Sequence, residues 1–101
     1  MARMDVYPAP GARGVGYVVD VQADLLSMLE TRVVIPLFPE PVAKVIAARL
    51  NPTFEIDGQR HVLMTQGFAT VPRRVLRHPV MSLNDHRDTV IAAIDLLLTG
   101  F

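Results

Sequence analysis

Several short stretches of this chain alternate apolar and polar positions, one segment in the middle spaces them as a helix does, and from residue 84 a longer helical rhythm takes over. Tyr17–Gln22 (YVVDVQ) is β-branched and aromatic and alternates around Asp20, as a strand with one buried face does. Arg32–Leu37 (RVVIPL) carries the strongest strand signal; Pro36 has no amide donor and belongs at an edge, a strand end or a bulge, so the strand bends there. Met4–Tyr7 reads as a short strand broken by the Pro- and Gly-rich loop Pro8–Gly16. Phe54–Ile56 and His61–Thr65 flank Asp57-Gly58, whose readiness for positive φ predicts a tight hairpin. Phe68–Pro72 extends or follows it as another short strand, and Pro72–Pro79 is an irregular surface connection. Ala23–Thr31 offers a turn or a short helical link. Glu40–Leu50 fits one short helix or a helical turn, with Pro41 near its first turn and Asn51-Pro52 ending it.

From Asn84 the period becomes helical. Asn84 is placed as the N-cap, Asp85 and Asp88 fall in the first turn where the helix dipole favours them, and Gly100 stands at the end. Leu83, Val90, Ile94, Leu97 and Phe101 share one face, and Ile91 and Leu98 form a second stripe beside it. One stripe docks on a sheet. The other needs deeper burial or a partner.

Composition adds to that picture. A chain of 101 residues makes one domain with one core, and half of its residues are apolar while a fifth are charged. That surplus suggests a buried interface. Ten basic and ten acidic residues cancel, which gives no electrostatic case for wrapping nucleic acid or coating an anionic membrane. Nine of the ten basic residues are Arg, with Lys44 alone, a bias that suits forked carboxylate contacts. With no cysteine there are no disulfides and no thiolate metal sites. Cytoplasm is the default expectation, since the N-terminal residues carry no apolar run of signal-peptide length and no stretch approaches the length of a membrane span.

The search for chemistry returns little. His61, His78 and His86 show no metal-ligand spacing, so no metal or cofactor is expected. Asp20 and Asp24 could form an acid–base pair, but the pattern instead has Asp20 alternate outward from its strand or cap a neighbouring turn. Arg73, Arg74, Arg77 and His78 could grip phosphates or an acidic peptide, the acidic peptide being favoured over nucleic acid for want of stacking aromatics; plain solvation is the commoner outcome. Ser27 and Ser82 lack a nucleophile-elbow context. These residues describe a small β-rich interaction module with no catalytic set.

The order of blocks then carries a resemblance: YVVDVQADLL at Tyr17–Leu26, RVVIPL at Arg32–Leu37, LMTQGFATVP at Leu63–Pro72, and a C-terminal helix ending in Gly100 and an apolar last residue. Together they resemble CcdB, the toxin of plasmid and chromosomal toxin–antitoxin pairs, over nearly the whole chain as a single domain, residues 1–101. The resemblance implies a mainly β fold, an SH3-like β-barrel with a small side sheet and a C-terminal helix, in a symmetric homodimer built around that helix. It implies a non-enzymatic poison of the DNA gyrase A subunit, which inserts its helix ends into the open gate and traps the covalent gyrase–DNA complex.

By that resemblance the gyrase contact is Thr99-Gly100-Phe101, with Thr99 standing where well-known members place a tryptophan able to stack on an arginine. The homodimer contact is Ile94, Leu97 and Leu98. A CcdA-like antitoxin, through a disordered segment that folds on the toxin, meets Leu25, Leu26 and Asp95. Asp95 replaces an amide side chain and adds a negative charge. Two alternatives stand beside this: a MazF-like endoribonuclease toxin on the same barrel, for which Arg32, Thr65 and Glu55 are the only loosely suitable set, and a non-toxic member that only binds antitoxin.

Overall fold

The structure, a computed structural model, describes residues 2–9, 14–40 and 45–100. Within them seven strands form one antiparallel sheet: β1 (Asp5–Pro8), β2 (Tyr17–Asp20), β3 (Thr31–Pro39), β4 (Thr53–Ile56), β5 (Gln59–Leu63), β6 (Ala69–Pro72) and β7 (Met81–Ser82). The order is β4-β5-β3-β2-β1-β7, with β6 also on β3. The sheet curls into a nearly closed barrel, and residues of its two edge strands, Thr53–Glu55 and Met81, line one cleft together with Leu83 and His86. The mainly β barrel with a C-terminal helix is therefore what forms.

The nine-residue β3 organises the barrel, and Pro36 explains how. Its first half pairs with β6, Val34 facing Ala69, and its last three residues pair with β5, Leu37 facing Leu63. Pro36 falls where the ladder passes from one partner to the other, so no neighbour asks for the amide it lacks. On the other side it faces Val18, and its carbonyl accepts Met64 N at 3.0 Å. The strand itself runs unbroken through Pro36 from Thr31 to Pro39.

The Asp57-Gly58 hairpin forms between β4 and β5, with φ of +52° and +78° at the two turn residues, the left-handed pair of a primed turn. In the Glu40–Leu50 segment, residues 41–44 lie outside the described residues, as do 10–13 in the Pro8–Gly16 loop. Among the described residues of this segment no helix forms, only a turn at residues 48–50 closed by Asn51 N on Ala47 O at 2.7 Å. Buried Asn51 pins that turn to the barrel: its amide nitrogen donates to Leu63 O and Gln66 Oε1, and its Oδ1 accepts Ile46 N.

Both faces of the sheet are covered, which corrects two expectations. Val6, Val19, Ile35, Leu37, Leu63, Phe54 and Ile56 meet Leu83, Val90 and Ala93 in the main core. On the opposite face Tyr7, Val18, Val34 and Leu76 make a second cluster with Val71 and Val75 packed against it. The Pro72–Pro79 connection is thus a lid that buries Leu76, not only a surface link. Asp20 lies on this second, covered face and is fully buried; period-two alternation sends it away from the main core as expected, but not to solvent.

The terminal helix α1 (Arg87–Thr99) follows a 3₁₀ turn at Asn84–His86. Asn84 does not cap it. Ser82 Oγ accepts Asn84 N at 3.1 Å at the start of the 3₁₀ turn, and α1 begins after His86 without a side-chain cap. The C-terminus ends as the glycine implies: Gly100 adopts φ +82° and donates to Leu96 O at 3.1 Å. Val90 and Ala93 are the fully buried helix residues, Ile91 and Ile94 are half-buried against the main core, and Phe101 lies outside the described residues. No helix among the described residues is long and apolar enough to cross a membrane.

Candidate interaction surface

Two regions leave large apolar side chains in water: the last turns of α1 and the loop between β2 and β3. At the helix end Leu98 is 65 % exposed. Leu97 and Leu98, with Ile94 one turn earlier, form a wall of an apolar crevice of about 100 Å³ whose other wall is Val21, Val33, Ile35, Thr65 and Phe68. Phe68 is half-exposed at that crevice. The three residues assigned to a dimer contact thus come together on one apolar feature. Ile91 is half-buried in the core, so the second stripe reduces in the described residues to Leu98 with the flank of Leu97.

Of the residues assigned to gyrase, Thr99 and Gly100 stand exposed at the helix tip and Phe101 lies outside the described residues. Asp95 is exposed one turn before Thr99, and Thr99 Oγ1 donates back to Asp95 O at 2.7 Å. The hydroxyl is therefore turned onto the helix backbone.

The β2–β3 loop is held by polar groups that the VDVQ-D block supplies. Asp20 Oδ1 accepts Gln22 N at 3.1 Å, Gln22 Oε1 accepts Val33 N at 3.1 Å, and Gln22 Nε2 donates to Leu26 O at 3.0 Å. Asp24 Oδ1 accepts Arg3 N, and Arg3 Nε donates to Val21 O. So fastened, the 3₁₀ turn Asp24–Leu26 puts Leu25 82 % and Leu26 45 % into solvent. Met28 and Leu29, at 69 % and 44 %, continue the shelf; the sequence reading passed over them because the segment shows no period. The loop leaves β2 through Val21, itself a wall residue of the crevice.

Behind this loop sits a buried ion pair that sequence reasoning missed. Arg32 Nε and Nη2 both donate to Asp20 Oδ2, at 2.9 and 2.5 Å, with neither side chain exposed. Arg32 Nη1 has no partner among the described residues. Burial pushes the Asp20 carboxyl above its ordinary 3.8, while the Arg32 hydrogen bonds and charge pull it back. Burial also raises the Tyr7 hydroxyl, helped by the charges of Asp5 and Asp20. The available signal was the spacing of Asp20 from Val18, which places both on one face.

The ribonuclease set does not assemble. Arg32 has no exposed surface and is neutralised by Asp20, Thr65 is buried with its hydroxyl donating to Leu50 O, and Glu55 stands exposed on β4. The three histidines stay separate in role: His61 is buried edge-on to Tyr17 with Nδ1 at Gln59 O, His86 packs by Phe54, and His78 is exposed. Among the described residues no three His, Cys, Asp or Glu side chains are grouped to hold a metal.

A curled sheet with one docked helix, an apolar crevice under the helix end and an exposed leucine loop define a small barrel with two apolar surface features. The chain belongs to the CcdB family: the family model for the CcdB protein matches residues 3–100, nearly its whole length. That membership supports a general role as the toxin of a toxin–antitoxin pair. A search of curated proteins returns no significant match.

Proposed function

We propose that this chain acts as a homodimeric toxin that binds the DNA gyrase A subunit through its helix ends, traps the cleaved gyrase–DNA complex, and is neutralised by a CcdA-like antitoxin. The observation that carries the reading is the exposed end of α1 above an apolar crevice, in a chain of this family. Ile94, Leu97 and Leu98 pack against their equivalents across a two-fold axis, which covers the surplus apolar surface and sets two termini side by side. Thr99, Gly100 and Phe101 then reach gyrase, and Leu25, Leu26 and Asp95 meet the antitoxin. No cofactor or metal takes part, and neither nucleic acid nor membrane is bound directly. The action is cytoplasmic. Purified protein, mixed with gyrase and supercoiled DNA, is expected to raise the yield of cleaved DNA; no binding to the A subunit and no added cleavage at micromolar dose sinks the proposal.

Thr99 favours a second reading, a member that binds antitoxin without poisoning gyrase. Its hydroxyl folds back on Asp95 O, so the helix tip offers no aromatic face at this position. Expression without an antitoxin separates the two: growth arrest supports the first, unimpaired growth with retained antitoxin binding the second.

A further inference from the structure

His61 stands in β5 with 2 % of its surface exposed. Its Nδ1 lies 2.9 Å from Gln59 O, which can only accept, so Nδ1 carries the proton and Nε2 of the neutral ring holds a lone pair. Nε2 has no hydrogen-bond partner among the described residues, yet it is not shut in, because the buried side-chain atom left unpaired among those residues is Arg32 Nη1 alone. Its edge of the ring lies against Gly16, where an added Cβ would come within 2.8 Å of Nε2. Glycine thus keeps the nitrogen uncovered. Gly16, Tyr17, Asp57 and His61 are walls of one surface cavity of about 330 Å³ beside the turn of the β4–β5 hairpin. Asp57 is the charged member of the wall, with no Arg or Lys in it and no ion-pair partner among the described residues. Pro39, Ile56 and Val80 add apolar surface.

We infer that this cavity binds a small organic cation of the primary alkylammonium class, which donates one N–H to His61 Nε2, sets its charge against the Asp57 carboxylate and lays its alkyl chain on Pro39, Ile56 and Val80. The wall makes three demands on a ligand. Nε2 of the neutral ring takes a donor and never an acceptor; the unpaired carboxylate selects positive charge and disfavours anions; the apolar residues favour a short hydrocarbon chain. The acceptor belongs to a side chain almost wholly withdrawn from solvent, where a hydrogen bond counts for more than on the open surface. An alcohol meets the first and third demands and a quaternary ammonium the second and third, whereas a primary ammonium meets all of them. The cavity shares no residue with the helix tip, the apolar crevice or the leucine loop, so the inference is independent of the gyrase reading.

The test titrates n-butylammonium chloride into the isotope-labelled full chain at constant ionic strength, following the backbone amides and the His61 ring nitrogens by NMR at a pH where the ring is neutral. Saturable binding in the millimolar range is expected, with amide shifts centred on Gly16, Tyr17 and the Asp57–His61 stretch and a matching shift of the Nε2 resonance. Tetramethylammonium and n-butanol should each bind about tenfold more weakly. Asp57→Asn, which keeps a residue tolerant of the left-handed turn, should weaken butylammonium about three- to fivefold. Gly16→Ala should remove binding by covering Nε2; because that change crowds the ring, Asp57→Asn and the ligand comparison decide the matter if it does not fold. A titration that fails to saturate at millimolar ligand overturns the inference. So do equal binding of tetramethylammonium or butanol, undiminished binding by Asp57→Asn or by a folded Gly16→Ala, and shifts centred elsewhere on the surface.

Discussion

Arg32 places two donors, Nε and Nη2, on the single oxygen Oδ2 of Asp20 in a site that neither side chain leaves. The other Asp20 oxygen holds Gln22 N, so one carboxylate joins β2, β3 and the root of the leucine loop. Removing one partner strands a charge in a closed space. Asp20→Leu or Arg32→Met alone is therefore expected to cost about 3–5 kcal/mol, whereas the double replacement recovers most of the loss. Urea melts of the three variants check this, and equal losses in singles and double would mean that the pair is not coupled.

The same carboxyl gives a pH dependence of defined sign. Its folded value is raised above 3.8, by burial first and despite Arg32, so the folded chain keeps a proton that the unfolded chain has already released. The contribution of this group is fully present below the unfolded value and is lost as pH rises through the folded one. Relative to Asp20→Asn, the natural chain should lose unfolding free energy as pH rises from just below 3.8. A relative gain over that window would show that Arg32 outweighs burial.

Gln22 ties the fold to the surface. Its side chain accepts from Val33 N and donates to Leu26 O, so Gln22→Ala leaves a half-buried amide unpaired and frees the turn that presents Leu25 and Leu26. A loss of about 1–2 kcal/mol is expected, with faster amide exchange confined to residues 23–30. Gln22→Glu keeps the acceptor for Val33 N but not the donor to Leu26. It sets a buried carboxylate oxygen against the Leu26 carbonyl, so it should destabilise at least as much as Gln22→Ala while exchange in the loop still quickens.

How much of this could be read beforehand follows from which contacts are local. The Asp57-Gly58 turn and the Gly100 cap were legible because left-handed φ is a property of one or two residues. That Pro36 marks a special place in its strand was legible because a missing donor restricts where a strand can pair, and the ladder changes partner there. Asp20 was turned toward solvent because alternation names two faces and not what covers them, and the cover, Leu76, arrives from 56 residues further on. Asn84 had the composition of a cap, yet its own amide is held by Ser82 and the helix begins past it. At the candidate site, the helix tip and Leu25-Leu26 came from family resemblance, while Met28 and Leu29 depend on a long-range fold that no local period encodes.

If the crevice beneath α1 is closed by a second copy, a charge at Leu98 should prevent it. Leu98 is mostly exposed in the single chain, so Leu98→Asp should leave the monomer's stability within about 0.5 kcal/mol while abolishing its self-association. Sedimentation at matched concentrations of natural and variant protein decides the point. A monomeric natural chain, or a variant that stays dimeric, removes the helix end from the interface.

Thr99 bears most directly on activity. At this position the side chain is exposed and its hydroxyl is tied to Asp95 O, so a larger group can be added without disturbing the core. Thr99→Trp should leave the melting temperature nearly unchanged while giving the helix tip a flat face for a guanidinium, a contact worth about 1–2 kcal/mol where it is desolvated. The gain in gyrase affinity would be roughly five- to thirtyfold. Asp95 lies one turn before Thr99, and its negative charge would help to hold an arginine there; Asp95→Asn made on the Thr99→Trp background should therefore take back part of the gain. Titrating the gyrase A subunit against natural chain, single and double variants separates the terms. An affinity that tryptophan leaves unchanged would mean that this turn of the helix does not touch gyrase at all.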